Sequence, residues 1–198
     1  MNIVRAFLIL NSSFFLSLLA GCFNEPEPAY KSVPSENRVY LSDKGLKALP
    51  QVNAKADYLN LDRNQLEKAD GVEKLTELKW LRLNDNRLSA LPDLKGLVNL
   101  RRIYLKNNRF TAVPETLKDL PSLTDVDLSG NPIKEIPQWL AEKKGLKNLS
   151  FSRTQVTALP KSLDAWNSLQ SLQLGDLNVS AEEMARIRKA LPNVAVVF

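Results

Sequence analysis

The sequence predicts an α/β solenoid, with a curved parallel sheet on the concave side and short helices or 3₁₀ turns on the convex side. Three observations predict it. The phrase Leu-x-x-Leu-x-Leu-x-x-Asn-x-Leu recurs along the chain, most clearly from Leu78, Leu100, Leu123, Leu146 and Leu169. These starts lie 22, 23, 23 and 23 residues apart. A fixed period in the twenties belongs to repeats that bury their apolar face only against their neighbours. The third observation is Asn64, Asn86, Asn108 and Asn131 at one offset, so that they must stack through the solenoid.

The chain opens on a separate message. Arg5 supplies a positive start, and an apolar stretch follows that Asn11, Ser12 and Ser13 interrupt. It is too short and too broken for a membrane span, so residues 1–21 read as a secretion signal. The stretch ends Leu19-Ala20-Gly21-Cys22, which resembles the lipobox of bacterial lipoproteins. That resemblance implies cleavage before Cys22 and lipidation of its thiol and amino group, palmitate being one expected chain, which anchors the protein to a membrane. Phe23 stands where aspartate favours inner-membrane retention in enteric-type lipoproteins, so the expected location is the cell envelope and, where there are two membranes, the outer one. Cys22 is the only cysteine, which excludes an intramolecular disulfide. Residues 22–37 carry Pro26, Pro28 and Pro34 without a core pattern. They read as a flexible, Pro-rich tether with a reach on the order of 50 Å.

Residues 38–198 form the repeat domain. In the first unit Val39, Leu41 and Leu46 match the phrase with Lys44 in the Asn place, so this unit reads as an incomplete cap. Leu59, Leu61, Asn64 and Leu66 make the next, and the five clear copies follow. In the last two, Thr154 and Leu177 replace the asparagine. Where each strand ends, the turn leaves backbone groups that need partners, and a buried amide offers both donor and acceptor. Pro50, Pro92, Pro114, Pro137 and Pro160 follow at equivalent places and suit the first position of a short helix or 3₁₀ turn. Leu117, Leu140 and Leu163 close the convex side, while Leu120 and Trp166 share an offset with Lys143. Ser180-Ala-Glu-Glu183 reads as a capping box that opens a terminal helix with Met184, Ile187 and Leu191 on one face. Leu191, Val194 and Val196 repeat the phrase once more, and helix and strand together should close this end.

These motifs resemble the leucine-rich-repeat family over roughly four-fifths of the chain. The resemblance is specific for the fold and weak on function, because such scaffolds serve many partners. The cysteine-rich caps usual in eukaryotic secreted members are absent, which points to a bacterial source.

With the phrase leucines facing in, the residues on either side face the concave surface. These are Arg38/Tyr40, Tyr58/Asn60, Trp80/Arg82, Arg102/Tyr104, Asp125/Asp127, Asn148/Ser150 and Ser171/Gln173. Tyrosine, tryptophan and arginine predominate at interface hot spots. The expected partner-binding residues are therefore Tyr40, Tyr58, Trp80, Arg82, Arg102 and Tyr104, with Asp125 and Asp127 as the acidic end of the face. The expected partner is a protein of the envelope or of a host. Binding of a glycan or cell-wall polymer on the same rings is the alternative.

Composition narrows the rest. Histidine is absent, which excludes histidine triads and histidine metal sites. Asp125 and Asp127 lie on one open strand with no evident pocket to raise a pKa, so glycoside hydrolysis is not expected of them. No catalytic residue, cofactor or metal is expected. Removing residues 1–21 takes one of 27 basic residues and none of the 22 acids, a mild excess that does not suggest nucleic acid. A monomer is expected. Trp139 falls on the convex side, partly exposed or packed between turns.

Overall fold

A computed structural model describes residues 37–198. The signal peptide 1–21, Cys22 and the tether through residue 36 lie outside the described residues. Eight parallel strands form one sheet in chain order. They are β1 (Arg38–Tyr40), β2 (Tyr58–Asn60), β3 (Trp80–Arg82), β4 (Arg102–Tyr104), β5 (Asp125–Asp127), β6 (Asn148–Ser150), β7 (Ser171–Gln173) and β8 (Ala195–Val197). Each has three residues, and its central one pairs with the centre of the next, as in Leu59↔Leu81 and Leu81↔Ile103. Strand-like hydrogen bonding runs on past these limits. Leu61, Leu83, Leu105 and Leu128 each donate through N–H to the next repeat's carbonyl at 2.8–2.9 Å.

The leucines fill a continuous core. Leu59, Leu61, Leu78, Leu81, Leu83, Leu100 and Leu105 are fully buried, and Phe110 and Phe151 take leucine positions. On the convex side stand 3₁₀ turns at Val72–Lys74, Glu115–Leu117 and Asp164–Ser168 and the helix α1 (Gln138–Glu142). Helix α2 (Ala181–Ala190) precedes β8. Pro114 and Pro137 sit one place earlier than expected, as extended N-cap residues, and their carbonyls accept from Leu117 and Leu140 at 3.1 and 3.0 Å. Their fixed φ suits an N-cap in the β region as well as a first helical residue.

The asparagine ladder is built as its chemistry requires. Asn108 Nδ2 donates to the carbonyls of Leu83 in the preceding repeat and of Leu105 in its own, both at 2.9 Å. Its Oδ1 accepts from the N–H of Leu88 at 3.0 Å. Asn86 and Asn131 repeat the pattern, and Asn64 extends it to the first unit, where the N–H groups of Lys44 and Leu46 donate to its Oδ1. Thr154 reaches only the Phe151 carbonyl.

The first unit, with Lys44 in the asparagine place, still supplies a strand that pairs with β2 along its whole length. At the other end Val196, not Val194, lies opposite Leu172, two residues beyond the expected register. Helix α2 and its exit turn make this segment one residue longer than the one before it, 24 residues separating Leu172 from Val196 against 23 between Leu149 and Leu172. The capping box is also half formed. Ser180 Oγ accepts from Glu183 N–H, but the Glu183 carboxylate accepts from Leu159 N–H and pairs with Arg186. Arg186, off the apolar face of α2, reaches the carbonyls of Leu159 and Pro160 at 3.1 and 3.2 Å.

Candidate functional site

The first and third residues of each strand stand on the sheet face away from the core, so register brings the expected aromatics together. Arg38, Tyr58, Trp80 and Arg102 form one row across β1–β4, and Tyr40, Asn60, Arg82 and Tyr104 form the other. The rings make a chain. Tyr40 and Tyr58 have centroids 5.2 Å apart, Tyr58 meets Trp80 edge-on at 5.4 Å, and Trp80 lies 6.2 Å from Tyr104. The Arg102 guanidinium stands 4.7 Å over Trp80 and that of Arg82 stands 5.6 Å from the Tyr104 ring. Such aromatic and cation–π contacts are worth roughly 0.5–1.5 kcal/mol each beyond burial. The ridge is therefore largely set before any partner arrives.

Close packing changes what the ridge offers. Tyr58 and Tyr104 are buried at 5% and 6% exposure, whereas Tyr40 keeps 48%. Trp80, Arg82 and Arg102 are half-buried. The expectation of a fully open face is thus corrected. Tyr58 and Tyr104 support the ridge, and its accessible parts belong to Tyr40, Trp80, Arg82 and Arg102. The indole Nε1 of Trp80 is one of two buried side-chain atoms without a hydrogen-bond partner among the described residues, the other being Asp57 Oδ1.

Asp125 and Asp127 are likewise no open acidic end. Both are buried. Asp127 Oδ1 accepts from the Ser129 N–H and hydroxyl at 2.9 and 2.5 Å. Burial pushes its pKa up, against these hydrogen bonds and nearby Lys106. Asp125 accepts from Asn148 Nδ2 at 2.6 Å and from the Thr124 hydroxyl, and lies 3.7 Å from Arg102 Nε. Side chains on neighbouring strands, not a cleft, cover these carboxylates.

Sequence reasoning missed a second polar ladder where the strands exit. Asp62 Oδ1 accepts from Asn84 N–H at 2.8 Å, Asn84 Oδ1 from Lys106 N–H at 2.9 Å, and Ser152 Oγ from Gly175 N–H at 3.1 Å. Arg82 Nε meets Asp62 at 2.7 Å, yet burial still raises the Asp62 pKa. It also missed a backbone column. Asp43, Arg63, Asp85, Asn107, Gly130, Arg153 and Asp176 all have φ between 53° and 68°. The Asp and Asn residues there were the available signal, since these types tolerate the left-handed region best.

On the convex side an open depression of about 530 Å³ is lined by residues including Leu91, Pro92, Glu115 and Thr116. Trp139 stands half-buried beside it, donating to Glu115 Oε1 at 2.8 Å. Among the described residues no group of three or more Cys, Asp or Glu side chains could hold a metal ion, and no helix is long and apolar enough to cross a membrane.

An open parallel sheet backed by short helices and knitted by an asparagine ladder is a leucine-rich-repeat solenoid, a scaffold suited to protein–protein recognition. The family model for leucine rich repeats matches residues 76–133. Among solved structures the chain is similar to a leucine-rich-repeat protein of Leptospira interrogans, with 34% identity and a TM-score of 0.67 over 71% of this chain. The match spans 36% of that longer chain. A search of curated proteins finds no match.

Proposed function

We propose that this protein is a lipid-anchored bacterial envelope protein that binds a protein partner through the concave face of its first four repeats, without catalysis of its own. The observation that carries the reading is the ridge of Tyr40, Tyr58, Trp80 and Tyr104, held ring to ring with Arg82 and Arg102 against it. Rings fixed on a sheet lose little conformational entropy when a partner docks, so more of their contact energy appears as affinity. Stacking of a sugar would need an open ring face. Tyr58 and Tyr104 are covered by their neighbours and Trp80 by Arg102, which favours the protein partner over the glycan.

The face is tested with full-length protein as bait in envelope and host extracts. Tyr40→Ala/Trp80→Phe removes the most exposed ring and the indole N–H while keeping an aromatic at position 80. It should weaken capture of a specific partner by about thirtyfold, as loss of a central anchor worth about 2 kcal/mol does. Trp139→Ala on the convex side should not. The opposite outcome would remove the concave face from consideration. A truncation at Tyr104 is unsuited to this test, because that ring is buried and its loss should lower the melting temperature as well.

The anchor is proposed from Leu19-Ala20-Gly21-Cys22. Metabolic labelling with an alkyne fatty acid should mark the wild type and not Cys22→Ser, and the wild type should fractionate with membranes. Equal labelling of the two would dismiss lipidation at this residue.

A further inference from the structure

The concave face carries both signs of charge, but at different depths. Its carboxylates lie low. The side chains of Asp62 and Asp125 are 3% and 9% exposed, and Asp127 is buried beneath Ser129. Its cations reach higher, the side chains of Arg82 and Arg102 being 19% and 31% exposed, with Arg38 and Lys106 half-buried beside them. Burial also draws Asp62 and Asp127 toward their neutral forms. A partner lying on the face therefore meets guanidinium and ammonium groups before it meets any carboxylate.

The strand-entry rim extends this bias. Immediately before β4 stands exposed Arg101, and before β3 exposed Lys79, which pairs at 3.7 Å with the largely buried Asp57 before β2. The strand-exit rim has no such run, for Asp43 pairs with Arg63 at 2.6 Å and Asp85 accepts from Asn107. Positive potential is thus concentrated on the aromatic half and one of its edges.

We propose that the partner of this face is an acidic protein segment, its Asp or Glu side chains meeting Arg38, Arg82, Arg102 and the strand-entry Arg101 while its apolar or aromatic residues pack on Tyr40 and Trp80. This rests on the concave-face reading above and adds the sign of the partner. Charge complementarity of this kind sets partner choice and association rate, and it weakens with salt.

The test uses the full chain and three synthetic peptides of alternating residues, Glu with Tyr, Gln with Tyr and Lys with Tyr, together with polygalacturonate, read by fluorescence anisotropy. The Glu–Tyr peptide should bind at least about tenfold tighter than the Gln–Tyr peptide, with the Lys–Tyr peptide weakest, and high salt should erase the difference. Arg38→Gln/Arg101→Gln should reduce the preference severalfold. These two are chosen because Arg82 and Arg102 accompany buried carboxylates, whose exposure to an unpaired state would confuse folding with binding. No binding of the Glu–Tyr peptide, no preference over Gln–Tyr, a preference for Lys–Tyr, or tighter binding of polygalacturonate would each overturn the proposal. Tyr40→Ala/Trp80→Phe separates the two levels. Loss of binding in that variant without any charge preference leaves the concave face standing and removes only the acidic partner. A charge preference untouched by that variant removes the concave face itself.

Discussion

Asp127 takes an outward position on a strand, where a sheet face ordinarily admits solvent, yet it is 4% exposed. Tyr104 on one side and Ser150 on the other share its row, and Ser129 curls back to donate twice to one oxygen. Burial disfavours its charged form, and the hydrogen bonds offset this only in part, so its pKa is raised in the fold. The sign for stability follows by linkage. A carboxyl that holds its proton more tightly when folded favours folding below its ordinary pKa of 3.8 and weighs against it progressively as pH rises. Asp127→Asn keeps an acceptor for Ser129 and carries no charge. It should therefore melt higher than wild type at neutral pH, with the gap closing in acid. Melting curves at pH 3 and pH 7 decide it, and a variant that melts lower at both would mean that the carboxylate's hydrogen bonds outweigh its burial.

The repeat is one strand, one left-handed residue, one asparagine and one convex segment, and each part was legible to a different degree. For β1 through β7 the outward pairs followed from the leucines alone, because period-two alternation leaves no freedom once the inward positions are known, whereas at β8 the apolar positions misplaced the strand by two residues. The asparagine ladder was legible for the same reason, together with the need to satisfy turn amides. Exposure was not. Whether Tyr58 or Asp125 sees solvent depends on side chains one repeat away, such as Trp80 and Asn148, and sequence offset does not report how far those reach. Lys143 gives another instance. It occupies the offset of Leu120 and Trp166, yet its ammonium donates to the carbonyls of Lys118 and Leu120 at 2.9 and 2.7 Å, a polar closure of a position that is otherwise apolar. At this scale the weakest rung of the ladder is Thr154, which makes one bond where Asn131 makes four. Thr154→Asn should restore the bridge to the preceding repeat and raise stability by about 1 kcal/mol, while Asn108→Ala should cost about 1–3 kcal/mol by stranding its buried partners. Asn60→Ala should cost less than Asn108→Ala, because Asn60 holds only the Asp62 N–H. Chemical denaturation of the three variants measures all of this, and a neutral Asn108→Ala would contradict the ladder as a source of stability.

Across the whole domain every strand contacts only its immediate neighbours, so stability is a sum of repeats and the interfaces between them. Such a structure opens from its ends. At the C-terminal end, α2 is joined to the preceding repeat by polar contacts that the sequence pattern did not reveal. Arg186 donates to the carbonyls of Leu159, Pro160 and Lys161, and its partner Glu183 accepts from Leu159 N–H at 2.8 Å. The pairing holds the Glu183 carboxyl below its usual range, so the pair is ionised at neutral pH. Arg186→Ala removes hydrogen bonds to several carbonyls and leaves Glu183 without its counter-charge, while Ile187 and Leu191 remain in the core. Charged hydrogen bonds of this sort contribute about 1.5–3 kcal/mol, equivalent to roughly tenfold or more in local opening. Hydrogen exchange should accelerate by that factor in β7, α2 and β8 and stay unchanged in β2 through β4, which carry the aromatic ridge. Binding at the ridge should be unaffected in the same variant. An equal acceleration in all eight strands would show instead that the domain opens as one cooperative unit, and that its two ends are energetically coupled across the sheet.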